Sequence, residues 1–247
     1  MRPTPRRLPL ADSATTVHGA THAEAQNPAL LHHFAQPEQQ RDAASLGMWW
    51  FLATEVMFFG GMFCSYLVYR LWYYSDFAAC AKTLSWQLGT TNTAVLICSS
   101  LTVVLAVWAA SMARRTMLIV CLILTLILGL TFLGIKGKEY HDKFVEHHVP
   151  GEYFDSSNIP LPDHPGEYAN VHHAQIYFAL YFIMTGLHAI HMIIGIGVFT
   201  WLLVMAWKNR FTPSYYTPIE IGGLYWHFVD IIWIYLFPLL YLIDLHK

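Results

Sequence analysis

Residues 174–207 read AQIYFALYFIMTGLHAIHMIIGIGVFTWLLVMAW, a stretch without a single Asp, Glu, Lys or Arg. A bilayer core of about 30 Å is crossed by about 20 apolar helical residues, so this stretch is long enough to span a membrane. Its excess length predicts a helix that tilts or protrudes into the interface. The strict apolar/polar alternation of a barrel strand is missing, which excludes a porin-type fold. The stretch therefore predicts a membrane protein built from helices.

Four further segments meet the same criterion. Together they contain only two charged side chains, Glu55 in the first and Asp230 in the last. The sequence therefore predicts an all-α fold, a polytopic transmembrane bundle of five spanning helices. The four further spans are predicted at about 46–69, 90–113, 116–135 and 221–243.

The composition excludes several classes of protein. Of the 247 residues, 55% are hydrophobic and 12% are charged, whereas a soluble domain has about 25% charged residues. A disordered chain is excluded because such chains are poor in apolar residues. The formal net charge is −2, so the concentrated basic surface of a nucleic-acid-binding protein is missing and nucleic acid is not expected as a partner.

The distribution of charge predicts the topology. Eight basic residues fall on one side of the membrane if five helices alternate, and the positive-inside rule assigns that side to the cytoplasm. This predicts an N-in, C-out topology with a flexible polar cytoplasmic arm over 1–43, a transmembrane domain over 44–247, and an irregular acidic outer loop over 137–173. The eight basic residues are Arg2, Arg6, Arg7, Arg41, Arg114, Arg115, Lys208 and Arg210.

Glu55 lies near the middle of the first predicted span, where an unpaired charge is costly. Phe58, Phe59 and Met62 share its helix face, so its surroundings are mainly apolar. Such surroundings favour the neutral form of the carboxyl. Two interpretations stay open: a proton-linked or quinone-linked carboxyl, or a neutral carboxyl hydrogen-bonded within a helix interface.

Histidines occur in pairs with polar partners in the last two spans. His188 and His191 are three residues apart, as are His227 and Asp230, so each pair projects from one helix face and could ligate a metal or haem. Carboxylate-bridged metal sites in bundles draw a Glu-x-x-His from each of two helices, and neither helix has one. Inter-helix hydrogen bonding is therefore the favoured interpretation, and no metal site is predicted.

Five motifs within about 46–245 resemble those of a known protein family and occur in the same order as in that family. They are GMWWFLATEVMFF at 47–59, NTAVL at 92–96, KGKEY at 136–140, GLHAIHMIIG at 186–195 and YWHFVDIIW at 225–233. The set resembles subunit III of the haem–copper cytochrome c oxidases, and the last two motifs are the most specific. The familiar mitochondrial form has seven helices and this chain lacks the first two, so it is similar to the five-helix bacterial form.

The resemblance implies a setting and a set of partners. It implies a multi-pass chain in the bacterial plasma (inner) membrane that belongs to a proton-pumping oxidase transferring electrons from cytochrome c to O₂. Haem and copper belong to partner subunits I and II in that family, so no cofactor is expected in this chain apart from bound phospholipids. A small subunit IV is a further candidate partner. The implied role is to pack beside subunit I, hold phospholipid, support proton uptake and slow turnover-linked inactivation.

Roles are expected for single residues, none of them catalytic or metal-ligating. The resemblance implies that Glu55 is a proton-linked carboxyl that reacts with hydrophobic carbodiimides. Lys208 and Arg210 follow a long apolar span, where basic side chains snorkel, and are expected at the cytoplasmic lipid headgroups. The expected structural polar core consists of His188, His191, His227, Asp230 and Glu139.

Two alternatives remain at this point. The first is the related subunit of a quinol oxidase or of a nitric-oxide-reductase system, which has the same five-helix pattern. The second, from a different class, is a free-standing transporter. A transporter needs a polar pathway of several charged residues across the membrane, and only Glu55 and Asp230 are available.

Overall fold

The computed structural model of the chain describes residue 34 and residues 36–151, 154–157, 159–161, 166–212 and 215–242. Its two compact units are residues 1–41 and 42–247, and the described part of the first is mainly the start of the first helix. Within the described ranges the chain is helical. The elements are α1 Pro37–Trp72, α2 Tyr74–Lys82, α3 Trp86–Ser111, α4 Arg115–Val145, α5 Val171–Trp207, α6 Thr217–Phe237 and a π-helical turn Pro238–Leu242.

The predicted all-α, five-span architecture is confirmed. Five helices of the described chain are long and apolar enough to cross a membrane, and each corresponds to one predicted span. They are Glu38–Trp72, Trp86–Ser111, Arg115–Val145, Val171–Trp207 and Thr217–Leu242. The N-in, C-out orientation stays a prediction.

The boundaries of the first helix differ from those predicted. Residues 1–33 of the predicted arm lie outside the described residues, but 37–43 already form the first turns of α1. Pro37 opens the helix and Glu38 lies in its first turn. Proline is favoured at the first helical position and an acidic side chain complements the helix dipole there. The change from polar to apolar composition therefore marks where the membrane span begins, whereas the helix itself begins earlier, at Pro37.

The predicted irregular loop over 137–173 is also wrong at both ends. Helix α4 continues to Val145 and α5 begins at Val171. Two lysine–glutamate pairs at i, i+3 spacing, Lys136–Glu139 and Lys143–Glu146, stabilise this extension of α4. The side chain of Asn170 caps α5 by accepting from the backbone N–H of His172 at 2.9 Å.

Helices α3 to α6 form the packed core. The indole of Trp226 on α6 is fully buried and its Nε1 donates to Oγ of Ser99 on α3 at 3.0 Å. A Cβ atom at Gly129 on α4 would lie 2.9 Å from this ring, and one at Gly195 on α5 would lie 3.1 Å from it. The indole leaves no room for a Cβ at Gly129 and only a tight fit for one at Gly195. Trp226 therefore joins all four helices.

Helix α1 is peripheral. Only 17% of its apolar, membrane-spanning stretch is buried within the protein, against 61% for the span that contains α6. It reaches the other helices through large side chains, Leu52, Phe59 and Tyr66. The ring of Phe59 lies 6.3 Å from that of Phe228, and the ring of Tyr66 lies 6.2 Å from that of Tyr177. Most of the apolar surface of α1 therefore faces outward.

Candidate functional site

Glu55 and His191 meet between α1 and α5. Nε2 of His191 lies 3.2 Å from Oε2 of Glu55, without the alignment of a full hydrogen bond. Nδ1 of the same imidazole lies 2.8 Å from the backbone carbonyl of Leu187. A carbonyl only accepts, so Nδ1 carries a hydrogen and Nε2 of the neutral ring is an acceptor.

The two groups are close enough to share a proton. Nε2 of the neutral imidazole and an ionised carboxyl oxygen are both acceptors, so a proton between them would relieve their repulsion at 3.2 Å. With one such proton the net charge of the pair is zero, whichever group holds it. A neutral pair is the form that an apolar interface tolerates. Glu55 can therefore be both a proton-holding group and a neutral interface residue.

Aromatic side chains from two helices, α1 and α6, lie beside this pair. The ring of Phe59 lies edge-on to the imidazole of His191, with centroids 5.4 Å apart. The hydroxyl of Tyr225 on α6 donates to the backbone carbonyl of His191 at 2.9 Å. Glu55 keeps 20% of its side-chain surface accessible and His191 keeps 14%. The carboxyl is thus shielded by rings but still open to a small apolar reagent.

His188 does not form the inter-helix hydrogen bond that was expected. It is buried, and neither ring nitrogen has a hydrogen-bond partner among the described residues. Its imidazole lies among aromatic rings, with centroids 5.4 Å from Phe132 and 5.2 Å from Trp233. The i, i+3 spacing places His188 and His191 on similar faces, yet the described neighbours of the His188 ring are the aromatic rings of Phe132 and Trp233.

His227 and Asp230 behave differently from one another. Nδ1 of His227 lies 2.8 Å from Oγ of Ser100 on α3, an inter-helix hydrogen bond of the expected kind. Asp230 is 3% exposed, and neither of its oxygens has a hydrogen-bond partner among the described residues. The side chain of Ser100 on α3 interacts with this carboxyl, without the alignment of a full hydrogen bond. In the part of the chain that the structure describes, no three His, Cys, Asp or Glu side chains converge on a point where a metal could bind.

Glu139 lies at the centre of a buried network near the outer end of α4. Nζ of Lys136 donates to Oε2 of Glu139 at 3.0 Å and to the hydroxyls of Tyr181 and Tyr241 at 3.3 and 3.0 Å. The hydroxyl of Tyr181 donates to Oε1 of Glu139 at 2.8 Å, and that of Tyr241 donates to the same oxygen. The network joins α4, α5 and the π-helical turn.

Sequence reasoning selected Glu139 but missed its three partners. Lys136 is 3% exposed, although its neighbours Gly137 and Lys138 are exposed. The i, i+3 spacing of Lys136 and Glu139 was the available signal, because a pair at this spacing lies on one helix face. The two tyrosines gave no signal, since their hydroxyls reach the site only after three elements pack together.

A second group of contacts anchors the short helix α2, which the sequence did not predict. Nζ of Lys143 donates to the backbone carbonyl of Thr83 at 2.8 Å. Nδ1 of His173 lies 2.6 Å from Oδ2 of Asp76, and its ring stacks on Tyr73 with centroids 3.7 Å apart. Cys80 is buried beneath these contacts, and burial raises the pKa of its thiol. This thiol is therefore a packing group and not a nucleophile.

The basic residues at the end of α5 are exposed. Lys208 and Arg210 lie in the turn that follows Trp207, with their side chains outward. The guanidinium of Arg115, at the start of α4, donates to the backbone carbonyl of Trp207. The α3–α4 turn and the end of α5 therefore lie at the same end of the bundle, as the predicted topology requires of them.

Comparison with known proteins gives consistent matches. The sequence model of the family described as cytochrome c oxidase subunit III matches residues 32–147 and 167–244. A probable cytochrome c oxidase subunit 3 of Nocardia farcinica is 32% identical over 199 residues, which cover 81% of this chain and 87% of that protein. Cytochrome c oxidase subunit 3 of Alkalihalophilus pseudofirmus is 28% identical over 197 residues, 80% of this chain and 85% of its own length. The protein of that name from Gallus gallus is 31% identical over 150 residues, 61% of this chain and 48% of its own length. The matched ranges include Glu55, His191 and Glu139.

Proposed function

Because this chain belongs to the cytochrome c oxidase subunit III family, we propose that it is the accessory, non-redox subunit of a proton-pumping haem–copper oxidase that takes electrons from cytochrome c. The observation that carries the proposal is the family match, which includes all five spans. The bacterial relatives support the bacterial inner membrane as its location.

The proposed contribution to proton uptake rests on Glu55. In this proposal the carboxyl and His191 together hold one exchangeable proton without net charge, which their 3.2 Å contact and the Nδ1 contact with Leu187 support. Such a pair can take up or pass on a proton within an apolar layer at little electrostatic cost. The proposed role is to support the proton-handling subunit, and not to pump.

The proposed partners are subunits I and II, a small subunit IV and phospholipid. Exposed apolar surface on the outward face of α1 supports contact with other chains or acyl chains, since few of its side chains are covered within this protein. The exposed Lys208 and Arg210 support a phospholipid site at the cytoplasmic headgroup level.

The proposal is tested by purifying the tagged full-length chain from its native membrane in mild detergent. Haem-bearing and copper-binding subunits should co-purify, and the haem absorption should follow these subunits when they are separated from this chain. Recovery of the chain without haem-containing partners would contradict membership of an oxidase. Recovery with haem but without a copper-binding subunit would overturn cytochrome c as the electron donor.

Glu55 is expected to be the preferred site of labelling by dicyclohexylcarbodiimide in the intact complex. Hydrophobic carbodiimides react with protonated carboxyls, and Glu55 shares a proton with His191 in an apolar, partly accessible interface. Peptide mass spectrometry should locate the adduct at Glu55, and Glu55→Gln should abolish it. Asp230, with both oxygens buried in the same chain, is the internal control. Labelling that spares Glu55 would rule out this assignment.

The Glu55→Gln complex is expected to keep its assembly and most of its oxygen reduction. Proton uptake or the number of turnovers before inactivation should change modestly, because the amide keeps the shape of the side chain but cannot ionise. Oxygen consumption and proton uptake are measured on the same preparation. Complete loss of oxygen reduction in a fully assembled variant would instead make Glu55 catalytic.

Replacing Lys208 and Arg210 together with Gln is expected to lower the anionic phospholipid that co-purifies with the complex. Each basic side chain at a membrane surface contributes about 1 kcal/mol to binding of anionic lipid, so one replacement should weaken binding about fivefold. Lipid mass spectrometry after stepwise delipidation measures the effect. Lys138→Gln, an exposed lysine at the other end of α4, is the matched control for Lys208→Gln. Equal lipid loss from both variants would contradict a specific site.

A further inference from the structure

A small pocket lies at the end of the bundle where the α3–α4 turn meets the end of α5. It has a volume of about 120 Å³, several times the space that one water molecule needs, so it admits a group as large as a phosphate. Its floor is buried and apolar, whereas its rim is polar and exposed. The floor consists of Ala109, Ala110, Leu118 and Ala206, and the rim includes Arg115, Asn209 and Thr212.

The rim offers hydrogen-bond donors to a ligand. The guanidinium of Arg115 donates to the backbone carbonyl of Trp207, which joins the two sides of the pocket. A guanidinium has five N–H donors, so this bond leaves others for a ligand. The exposed side chain of Asn209 adds an amide with two more. The pocket can therefore bind an acceptor group through Arg115 and Asn209 together.

The surroundings of the pocket are basic. Arg114, Lys208 and Arg210 are exposed and adjoin the two donor residues in the chain. Neither 109–118 nor 206–212, the two segments that form the pocket, contains an Asp or Glu. With Arg115 they are four cations, and such a concentration of one sign of charge attracts an anion. An anionic group with several acceptor oxygens, such as a phosphate, matches both the charge and the donors.

The pocket lies at the level of the membrane surface. Arg115 is the first residue of the span Arg115–Val145, and Trp207 is the last residue of the span Val171–Trp207. Exposed indoles of Trp108 and Trp207 lie at the same end, as is typical of tryptophans at a membrane–water interface. This is the level of the phospholipid headgroups. Basic pockets between spanning helices bind anionic headgroups there.

From this arrangement we infer that the pocket binds the phosphate of an anionic phospholipid, with Arg115 and Asn209 as its hydrogen-bond donors. The inference rests on the proposed phospholipid binding of this chain and assigns it to a defined site. Arg114, Lys208 and Arg210 attract the lipid through their charge, whereas Arg115 and Asn209 hold its phosphate. The buried apolar floor strengthens these hydrogen bonds, because it lowers the local dielectric constant.

Photolabelling of the purified complex tests the location. The probe is phosphatidylglycerol with a diazirine on its headgroup, and peptide mass spectrometry should locate its adducts within 109–118 or 206–212. A phosphatidylcholine probe should label these segments less, and excess inorganic phosphate should leave the labelling unchanged. Labelling of neither segment, or equal labelling by phosphatidylcholine, would overturn the inference. Displacement by inorganic phosphate would overturn the lipid in favour of the free ion.

Two neighbouring arginines provide a matched pair of variants. Arg115→Gln and Arg114→Gln each remove one positive charge, but only Arg115 lines the pocket. The guanidinium of Arg114 instead lies over the ring of Trp108, 5.1 Å from its centroid. Half-maximal labelling should require about ten- to a hundredfold more probe for Arg115→Gln and at most about fivefold more for Arg114→Gln. Equal effects would indicate surface charge alone and would refute the pocket.

Asn209→Asp tests the second donor without altering Arg115. Aspartate tolerates the left-handed backbone of this exposed position, where φ is 56°, so the variant should fold. It places a negative charge in the pocket and should weaken labelling about tenfold or more. Lys208→Gln changes the net charge by the same amount outside the pocket lining and is the control. Equal losses in the two variants would contradict a phosphate at Asn209.

The outcome is separable from that of the proposed function. A chain that co-purifies with haem-bearing subunits but has no label in the pocket disproves the pocket assignment alone. A chain that is labelled in the pocket but co-purifies with no oxidase subunit disproves the oxidase membership alone.

Discussion

Glu139→Leu is expected to destabilise the chain by about 3–5 kcal/mol, because it leaves the ammonium of Lys136 buried without its counter-charge. The side chains of Lys136 and Glu139 are 4% and 3% exposed, so water cannot replace the lost partner. Removal of the carboxylate also takes the acceptor from the hydroxyls of Tyr181 and Tyr241. Detergent-induced unfolding of the full-length chain in mixed micelles measures the change in the free energy of unfolding.

Two matched variants separate burial from charge pairing. Glu146→Leu breaks an equally spaced pair with Lys143 at 2.6 Å, in which Lys143 is 5% and Glu146 is 45% exposed. Lys143 keeps a second acceptor, the backbone carbonyl of Thr83 at 2.8 Å, and the carboxylate is partly solvated, so the loss should be smaller than for Glu139→Leu. Lys136→Met combined with Glu139→Leu should recover part of the lost stability, since no buried charge remains. A similar loss for Glu139→Leu and Glu146→Leu would contradict the buried network.

Trp226→Ala should have an effect of similar size, about 3–5 kcal/mol, because it removes the side chain on which four helices converge. The indole is fully buried, lies 4.7 Å from the ring of Phe199 between centroids, and donates to Ser99. A cavity in this position cannot be refilled without moving α4 and α5. Trp201→Ala, at an indole that is 54% exposed, is the control and should change stability little. The same unfolding measurement applies.

A second test of the same contact replaces the glycine that faces this indole. Gly129→Ala places a methyl group 2.9 Å from the ring of Trp226, whereas Gly134 on the same helix has nothing within 4 Å of its Cβ position. Overpacking costs about 1–3 kcal/mol, so Gly129→Ala should destabilise the chain. Gly134→Ala should be neutral or slightly stabilising, since alanine is the better helix former. Equal effects of the two substitutions would refute close packing at Gly129.

Much of the fold could be predicted because long apolar runs have few alternatives. An uncharged run such as 174–207 becomes one helix in a membrane, since every backbone polar group must bond within the segment. The family could be predicted as well, and the match over 32–147 and 167–244 confirms the resemblance. The helix ends were less predictable: α4 continues to Val145 because lysine–glutamate pairs sustain a helix beyond its apolar part.

The sequence predicted which residues belong to the candidate site but not which of them contact one another. Glu55 and His191 were both selected, yet their contact was not, because the two residues lie on helices far apart in the chain. Of the residues for which inter-helix hydrogen bonding was favoured, His227 bonds to Ser100, whereas neither ring nitrogen of His188 has a partner among the described residues. Residue type and spacing are the same for His188 and His191, so only their surroundings could separate them.

The amino-acid sequence by itself determined five spans, an all-α bundle and the family, because hydrophobic length and motif order are properties of the chain alone. The tertiary structure decided which polar groups meet. Rotation of α5 brings His191 to Glu55 and turns His188 toward Phe132 and Trp233. Packing of α4, α5 and the π-helical turn makes Lys136 the buried partner of Glu139. Hydropathy contains no information on helix rotation or crossing, and these two quantities set every distance between side chains on different helices.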